Sequence, residues 1–375
     1  MLKIPYFTPW ITEEDKMAVN KVLNQRWLTN GPILQKFEKK FASYQKIKHA
    51  IGVSSATHGL HLALRALGIG AGDEVIVPTM TFAATADAVR YCGAKPILVD
   101  VDLKTFNIIP DLLKKRNNKK TKAVIPVHYG GQSCDMDEIC KLAKNNGIKI
   151  IEDCAHSLGS TFDKKKCGSI GDFGCFSFYP TKIITTGEGG MVSTRNSKFY
   201  KKILGLRSHG MSNLPPEREK KSIWKYDIKE MGYNYRLDEI RASLGLSQFR
   251  RIEKINRLRI KIAKKYNEKL KNIKGITLPF KKSDRNHIYH LYTIKITKDF
   301  SLTRNELYFN LNKAGIGTSV QYTPLHCLSY NKKNYNKNEF SNSNKLMNQI
   351  ISLPIYPTIQ DKQIEYIIST IKKFT

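Results

Sequence analysis

The sequence has no uncharged apolar run near the ~18 residues that a membrane helix needs. Its first ten residues, Met1 to Trp10, carry Pro5 and Pro9 and lack the apolar stretch of a secretion signal. Both absences lead us to expect a cytoplasmic protein with no membrane partner. Cysteine is sparse: Cys92, Cys134, Cys140, Cys154, Cys167, Cys175 and Cys327 are odd in number, and none forms a C-x-x-C pair. That spacing argues against a disulfide framework or a zinc site, so no metal is expected. Acidic residues are few as well. Thirty-two Asp and Glu face 63 Lys and Arg, a net charge of +31. So basic a chain invites a nucleic-acid reading. Yet the cations run along the whole chain, and no helix-turn-helix, zinc-finger or RNP signature is present. We expect no nucleic-acid partner. The positive field instead favours a small anionic substrate. No internal repeats are present.

A chain of 375 residues is long enough for two domains. Short apolar runs at 50–53, 73–78, 96–99, 123–127 and 148–151 read as buried strands. Helical stretches such as 81–91 and 136–144 lie between them. This alternation predicts an α/β fold with a mostly parallel sheet covered on both faces. At the start, 12–24 reads as an amphipathic helix on Met17, Val19, Val22 and Leu23. Gly31 and Pro32 open a second helix with Leu34, Phe37 and Phe41 on one face. We expect a large domain over 1–249 and a small α/β domain over 250–375, joined by a long basic helix at 250–270. Further on, 289–296 alternates like a half-exposed strand. The stretches 212–221 and 331–344 read as mobile loops, the first polar with two prolines, the second rich in Lys and Asn.

One stretch stands out, F-S-F-Y-P-T-K-I-I-T-T-G-E-G-G over 176–190. It holds one lysine, Lys182, after an aromatic run and before three glycines. Burial drives a lysine toward the neutral amine, which can attack a carbonyl and hold it as a Schiff base. Alone, such a lysine would more readily be read as a surface residue. The second stretch, I-K-I-I-E-D-C-A-H-S-L-G, puts Asp153 at the end of an apolar strand. A carboxylate there can cap a helix, or pair with a pyridinium nitrogen and keep it protonated. The third is the strand–helix junction at Ser54 to Thr57. A helix N-terminus offers free N–H groups to a phosphate.

Taken together the chain resembles the DegT–StrS group of pyridoxal-phosphate (PLP)-dependent nucleotide-sugar aminotransferases, of fold type I. The blocks that carry the resemblance run almost end to end. They are R-W-L-T-N-G-P (26–32), V-S-S-A-T-H-G-L-H-L-A-L (53–64), G-D-E-V-I-V-P-T-M-T-F-A-A-T (72–85), E-D-C-A-H-S, F-S-F-Y-P-T-K, T-T-G-E-G-G, L-R-S-H-G (206–210) and G-Y-N-Y-R-L-D-E-I-R-A (232–242). The resemblance implies that Lys182 carries PLP and shuttles a proton, and that Asp153 holds the ring nitrogen protonated. It implies that Ala56, Thr57 and Ser177 cradle the phosphate; many relatives have glycine where this chain has Ala56. Phe82 would stack on the ring and His156 support it. Asn234 would reach the phosphate in the neighbouring subunit, making a homodimer with shared sites. Tyr179, Arg236 and His326 are candidates for the substrate, Arg236 equally for the fold.

The implied reaction moves an amino group from an amino acid, L-glutamate by preference, to a nucleotide-linked keto-sugar. The resemblance is closest to relatives that aminate C4 of UDP-linked 4-keto-6-deoxy hexoses bearing an N-acetyl group, and the L-R-S-H-G block followed by Trp224, Tyr226 and Asp227 supports this. A 3-keto sugar on another nucleotide, or a keto-cyclitol, is a further possibility. Two rival readings are a sugar dehydratase of the same fold, in which histidine replaces the lysine, and a non-catalytic nucleic-acid-binding regulator.

Overall fold

The computed structural model describes residues 3–25, 27–212 and 224–375. Most of the loop expected at 212–221 therefore lies outside the described residues, as does Arg26.

The first part of the chain alternates as the sequence implies. Helices α1 (Glu13–Gln25) and α2 (Pro32–Gln45) precede β1 (His49–Val53), α3 (Ala56–Ala66), β2 (Glu74–Pro78), α4 (Ala84–Tyr91) and β3 (Lys95–Val99). Then come α5 (Pro110–Arg116), β4 (Thr121–Val124), α6 (Met136–Asn145), β5 (Lys149–Asp153), β6 (Phe173–Ser177), β7 (Gly190–Thr194), α7 (Ser197–Arg207) and α8 (Glu239–Phe249). Among the described residues the main sheet has seven strands, in the order β1-β7-β6-β5-β4-β2-β3. Only β7 runs antiparallel to its neighbours. A parallel sheet covered on both faces needs strands apolar throughout. Accordingly Val75, Ile76, Val77, Val124, Ile151, Phe173 and Val192 are all buried. Parallel order brings the carboxyl ends of β2, β5 and β6 to one edge, where ligands bind in such folds.

Helix α2 begins as expected at Gly31–Pro32 and buries Leu34, Phe37 and Phe41. Phe37 and Phe41 pack against Phe178, with ring centroids 5.5 and 6.2 Å away. Phe41 also meets Phe176 edge-on at 4.9 Å. A fully buried Phe contributes about 1.5–3 kcal/mol, so this cluster anchors the segment that leads to Lys182. Helix α1 departs from expectation. Val22 is buried as expected, but Met17 and Leu23 are exposed and Asp15 is buried. Asp15 is buried because Arg251, 236 residues further on, pairs with its carboxylate.

Helix α9 (Ile252–Leu270) leaves the large unit. Its first turns pack Ile252 and Ile255 into the aromatic core around Phe41, and its last turns pack Tyr266 and Leu270 into a second core. That core covers an antiparallel sheet of Ile276–Thr277, β8 (Tyr292–Ile296) and β9 (Ile350–Leu353). It also takes in α10 (Arg304–Lys313) and α12 (Asp361–Lys372). Here the structure departs from one cut at residue 250. Ile4 lies in the second core, and its backbone bonds to Gly315 and Gly317 at 2.8 Å. Conversely Leu325 and Phe340 return to the core of the large unit.

Two further expectations change. Strand β8 is buried almost throughout, because β9 and helices cover it. Its alternation therefore did not mark an exposed face. The Lys/Asn-rich stretch 331–344 is ordered. Asp100 accepts the backbone N–H of Asn342 and Ser343 (2.8 and 2.9 Å), which starts α11 (Ser341–Met347), and the Asn331 amide donates to the Leu325 carbonyl at 2.8 Å.

Candidate active site

At the carboxyl edge of the main sheet lies a cavity of about 440 Å3. Each wall follows from its element. Strand period two sends Phe176 and Phe178 into the core, so Ser177 and Tyr179 face the cavity. The chain then turns, with Lys182 N–H donating to the Tyr179 carbonyl at 2.9 Å and Thr186 N–H to that of Phe178 at 2.9 Å. That turn carries Lys182 to the cavity wall. Gly190 is needed beyond it: a Cβ there would lie 2.8 Å from the Ala56 nitrogen. Its absence lets the first turn of α3 close against β7. Ser55 caps that helix by accepting from His58 N–H at 3.1 Å, and Ala56 and Thr57 line the cavity.

Asp153 ends β5 and is buried. Thr85 Oγ1 donates to its Oδ2 at 2.8 Å and Ala155 N–H to its Oδ1 at 3.1 Å. Burial pushes its pKa up, against these donors and the nearby Lys182. Such a carboxylate is completed by a cationic donor from a ligand. Burial also drives the Lys182 amine down from 10.5 to about 8, although Asp153 pulls the other way. His156 is pushed well below its usual range, first by burial and then by Lys182, so its ring is neutral. The Gly130 N–H points at its Nδ1 (3.4 Å), which assigns the ring proton to Nε2, 2.9 Å from the Tyr322 hydroxyl. Phe82 is 62% exposed at the cavity rather than packed in the core, with its ring 6.0 Å from that of Tyr322.

The cavity thus gathers Ala56, Thr57, Phe82, Asp153, His156, Ser177, Tyr179 and Lys182, eight of the eleven residues singled out in the sequence. The other three lie elsewhere. Asn234 is exposed, on a bridge to Ser208 outside its own chain's cavity. Arg236 bridges Val53 and does not line the cavity. His326 is fully buried and packs instead of facing substrate. Its Nδ1 meets Thr79 Oγ1 at 2.7 Å, its Nε2 meets Asn344 Oδ1 at 3.0 Å, and its ring stacks on Phe340. Sequence reasoning missed Thr85, which orients Asp153, and Gln321 and Tyr322. Thr85 closes a quoted block four residues after Thr81, with which it shares a hydrogen bond of 2.9 Å. Tyr322 stands four residues before the misassigned His326.

This donor set fits PLP. A helix N-terminus with the Ser177 hydroxyl suits a phosphate. An exposed aromatic face suits a flat ring, a buried carboxylate suits a ring N–H, and a depressed amine suits an aldehyde. Fold and site together define the class, a fold-type-I PLP-dependent aminotransferase. The chain belongs to the DegT/DnrJ/EryC1/StrS aminotransferase family, whose model matches residues 9–372. It is 36% identical over 376 residues to a GDP-perosamine synthase of Escherichia coli O157:H7, covering 100% of this chain and 99% of that one. Among solved structures it is similar to Spr1654 of Streptococcus pneumoniae in its PMP form, at 32% identity and a TM-score of 0.94, with 99% of each chain covered. It is likewise similar to PseC of Helicobacter pylori, an aminotransferase involved in the biosynthesis of pseudoaminic acid. That match has 30% identity and a TM-score of 0.92, covering 100% of this chain and 99% of that one.

Proposed function

We propose that the protein transfers the amino group of L-glutamate to C4 of a UDP-linked 4-keto-6-deoxy sugar, in the cytoplasm, as a homodimer with shared sites. The observation that carries the amino-transfer reading is the depressed amine of Lys182 facing buried Asp153 across one cavity. Bound PLP supplies the electron sink that lets a carbon–hydrogen bond next to nitrogen break. The residues do the rest. Lys182 would hold the cofactor through its amine and, as a general base, would take and return the substrate proton. A pKa of about 8 leaves a useful share of that amine neutral near pH 7. Asp153 keeps its charge against the ring nitrogen, oriented by Thr85. Ala56, Thr57 and Ser177 would hold the phosphate, Phe82 would cover the ring, and neutral His156 would donate from Nε2.

The sugar acceptor draws support from the relatives, which are named for perosamine and pseudoaminic acid. A lysine at position 182, rather than histidine, disfavours the dehydratase reading. The net charge of +31 suits a nucleoside diphosphate. Asn234, exposed and outside its own chain's cavity, is free to serve a partner's site. Seven free cysteines suit a reducing compartment. The test incubates the PLP-loaded protein and glutamate with UDP- and GDP-linked 3-keto and 4-keto sugars. We expect the UDP-linked 4-keto-6-deoxy sugar to gain an amino group fastest. A faster GDP-linked substrate, or amination at C3, would contradict this choice.

A further inference from the structure

Behind Lys182 lies a second, smaller hollow of about 50 Å3. Tyr6 and His290 line it, and Lys182, Gln321 and Tyr322 line both it and the main cavity. The lysine thus stands between the two. The walls come from five separated stretches of the chain, and polar Tyr6, His290 and Gln321 stand there beside apolar Phe7, Leu291 and Ile355. His290 is buried, and its Nδ1 has no hydrogen-bond partner. The Gln321 amide donates from Nε2 to Ser319 Oγ at 2.9 Å, which leaves its buried Oε1 without a partner. Turning the amide over exchanges the two atoms and still leaves one unpartnered. The Tyr6 hydroxyl sits near the Gln321 and Ser352 side chains.

An unpartnered polar atom in an interior costs about 1–3 kcal/mol. Two of them beside a reactive amine need an explanation. A water molecule needs roughly 10–15 Å3 of such space and two to four polar partners. At about 50 Å3 the hollow has room for roughly three to five by that measure. The residues that line it carry such groups: His290 Nδ1, the Gln321 amide, the Tyr6 hydroxyl and the amine of Lys182.

We propose that this hollow is a water site that serves the reaction: it supplies the water which the amino-acid half of the exchange consumes, and receives the water which the sugar half releases. The proposal rests on the amino-transfer reading above. The balance demands such a water. As the amino acid leaves as a 2-oxo acid, its alpha carbon loses a hydrogen and its carbon–nitrogen bond, is oxidised by two electrons, and gains an oxygen from one water. Nitrogen and electrons are retained on the enzyme. In the second half the keto carbon gains them, is reduced by two electrons, and its oxygen leaves as one water. A substrate seated in the main cavity would close that side to solvent, while the hollow borders the same Lys182. Lys182, standing between the two, can take the proton of an attacking water and return it when water is formed.

The test has a structural and a kinetic arm. A high-resolution crystal structure of the cofactor-free protein should show ordered water within about 3 Å of His290 Nδ1 and the Gln321 amide. The variant Gln321→Met, close in volume but without the amide, should lose water there. In single turnover with glutamate, Gln321→Met should slow release of 2-oxoglutarate about tenfold or more relative to the spectral change of the bound cofactor. Restoring a polar group with Gln321→Glu should bring the two rates together again. Absence of the water from the native protein would overturn the proposal. So would a Gln321→Met protein in which the two rates stay in step. A native protein that shows the water, yet gives no spectral response to glutamate, would overturn the amino-transfer reading and the water's role in it, while the density confirmed the site itself.

Discussion

At the residue scale the account turns on the charge state of one amine. The Lys182 pKa of about 8 sits below the ordinary 10.5 because burial disfavours the ammonium, and Asp153 limits the fall. In the cofactor-free protein, covalent capture of PLP should therefore rise as pH passes about 8 and level off above it. Asp153→Asn removes the charge that raises the lysine's pKa, so the midpoint should move to lower pH. Stopped-flow absorbance over a pH series checks both; a midpoint near that of free lysine would contradict the burial argument. The same Asp153→Asn protein should still bind PLP but remove the alpha proton of glutamate more slowly by several orders of magnitude, since a neutral amide does not keep the ring nitrogen protonated. A loss below about tenfold, ~1.4 kcal/mol, would make Asp153 a structural residue. Both groups stand out in sequence by local signals, a strand that ends in acid and an aromatic run that ends in lysine, but their roles came from the resemblance of the surrounding blocks. Thr85 and Tyr322 do not, because each gains its role from a partner 68 or 166 residues away.

At the scale of the element, local signals place helices well and explain poorly what stabilises them. Gly31–Pro32 marks the start of α2, yet no side chain of its own caps it. The cap is Glu239, 208 residues beyond Gly31 and buried at the head of α8. Its carboxylate accepts the backbone N–H groups of Gly31, Ile33 and Leu34 at 3.0, 2.9 and 2.9 Å. The positive end of the helix adds to the attraction. Glu239→Ala should leave these donors unpaired and cost about 3 kcal/mol. Chemical denaturation followed by far-ultraviolet circular dichroism measures it, and a loss under about 1 kcal/mol would show that water replaces the carboxylate. The same logic explains α1, where periodicity pointed to Met17, Val19, Val22 and Leu23: Val22 is buried, but Met17 and Leu23 are exposed and Asp15 is buried with it, held by Arg251. Apolar spacing predicts which face is buried only where apolar contact, rather than a distant ion pair, seats the helix.

At the scale of the whole molecule, the alternating strands and helices made the large unit legible. The crossing segments were not, since Ile4 joins the distal core and Phe340 the proximal one. Sharing between subunits gives a sharp expectation. Lys182→Ala and Asn234→Asp proteins should each be poor at low PLP. In a mixed dimer one site carries both lesions and the other carries neither. Random pairing makes about half the dimers mixed, so about a quarter of native activity should return on reassociation. Exchange without recovery would place both residues in one chain's site. The central claim is that the chain carries nitrogen from an amino acid to a keto-sugar, and one measurement reaches it directly. The PLP-loaded protein is given L-glutamate with an isotope-labelled amino nitrogen and a nucleotide-linked 4-keto sugar, and the sugar is analysed by mass. The account predicts one labelled nitrogen in each product molecule, with 2-oxoglutarate formed in equal amount. A product that has lost water without gaining nitrogen, or a sugar returned unchanged, would contradict it.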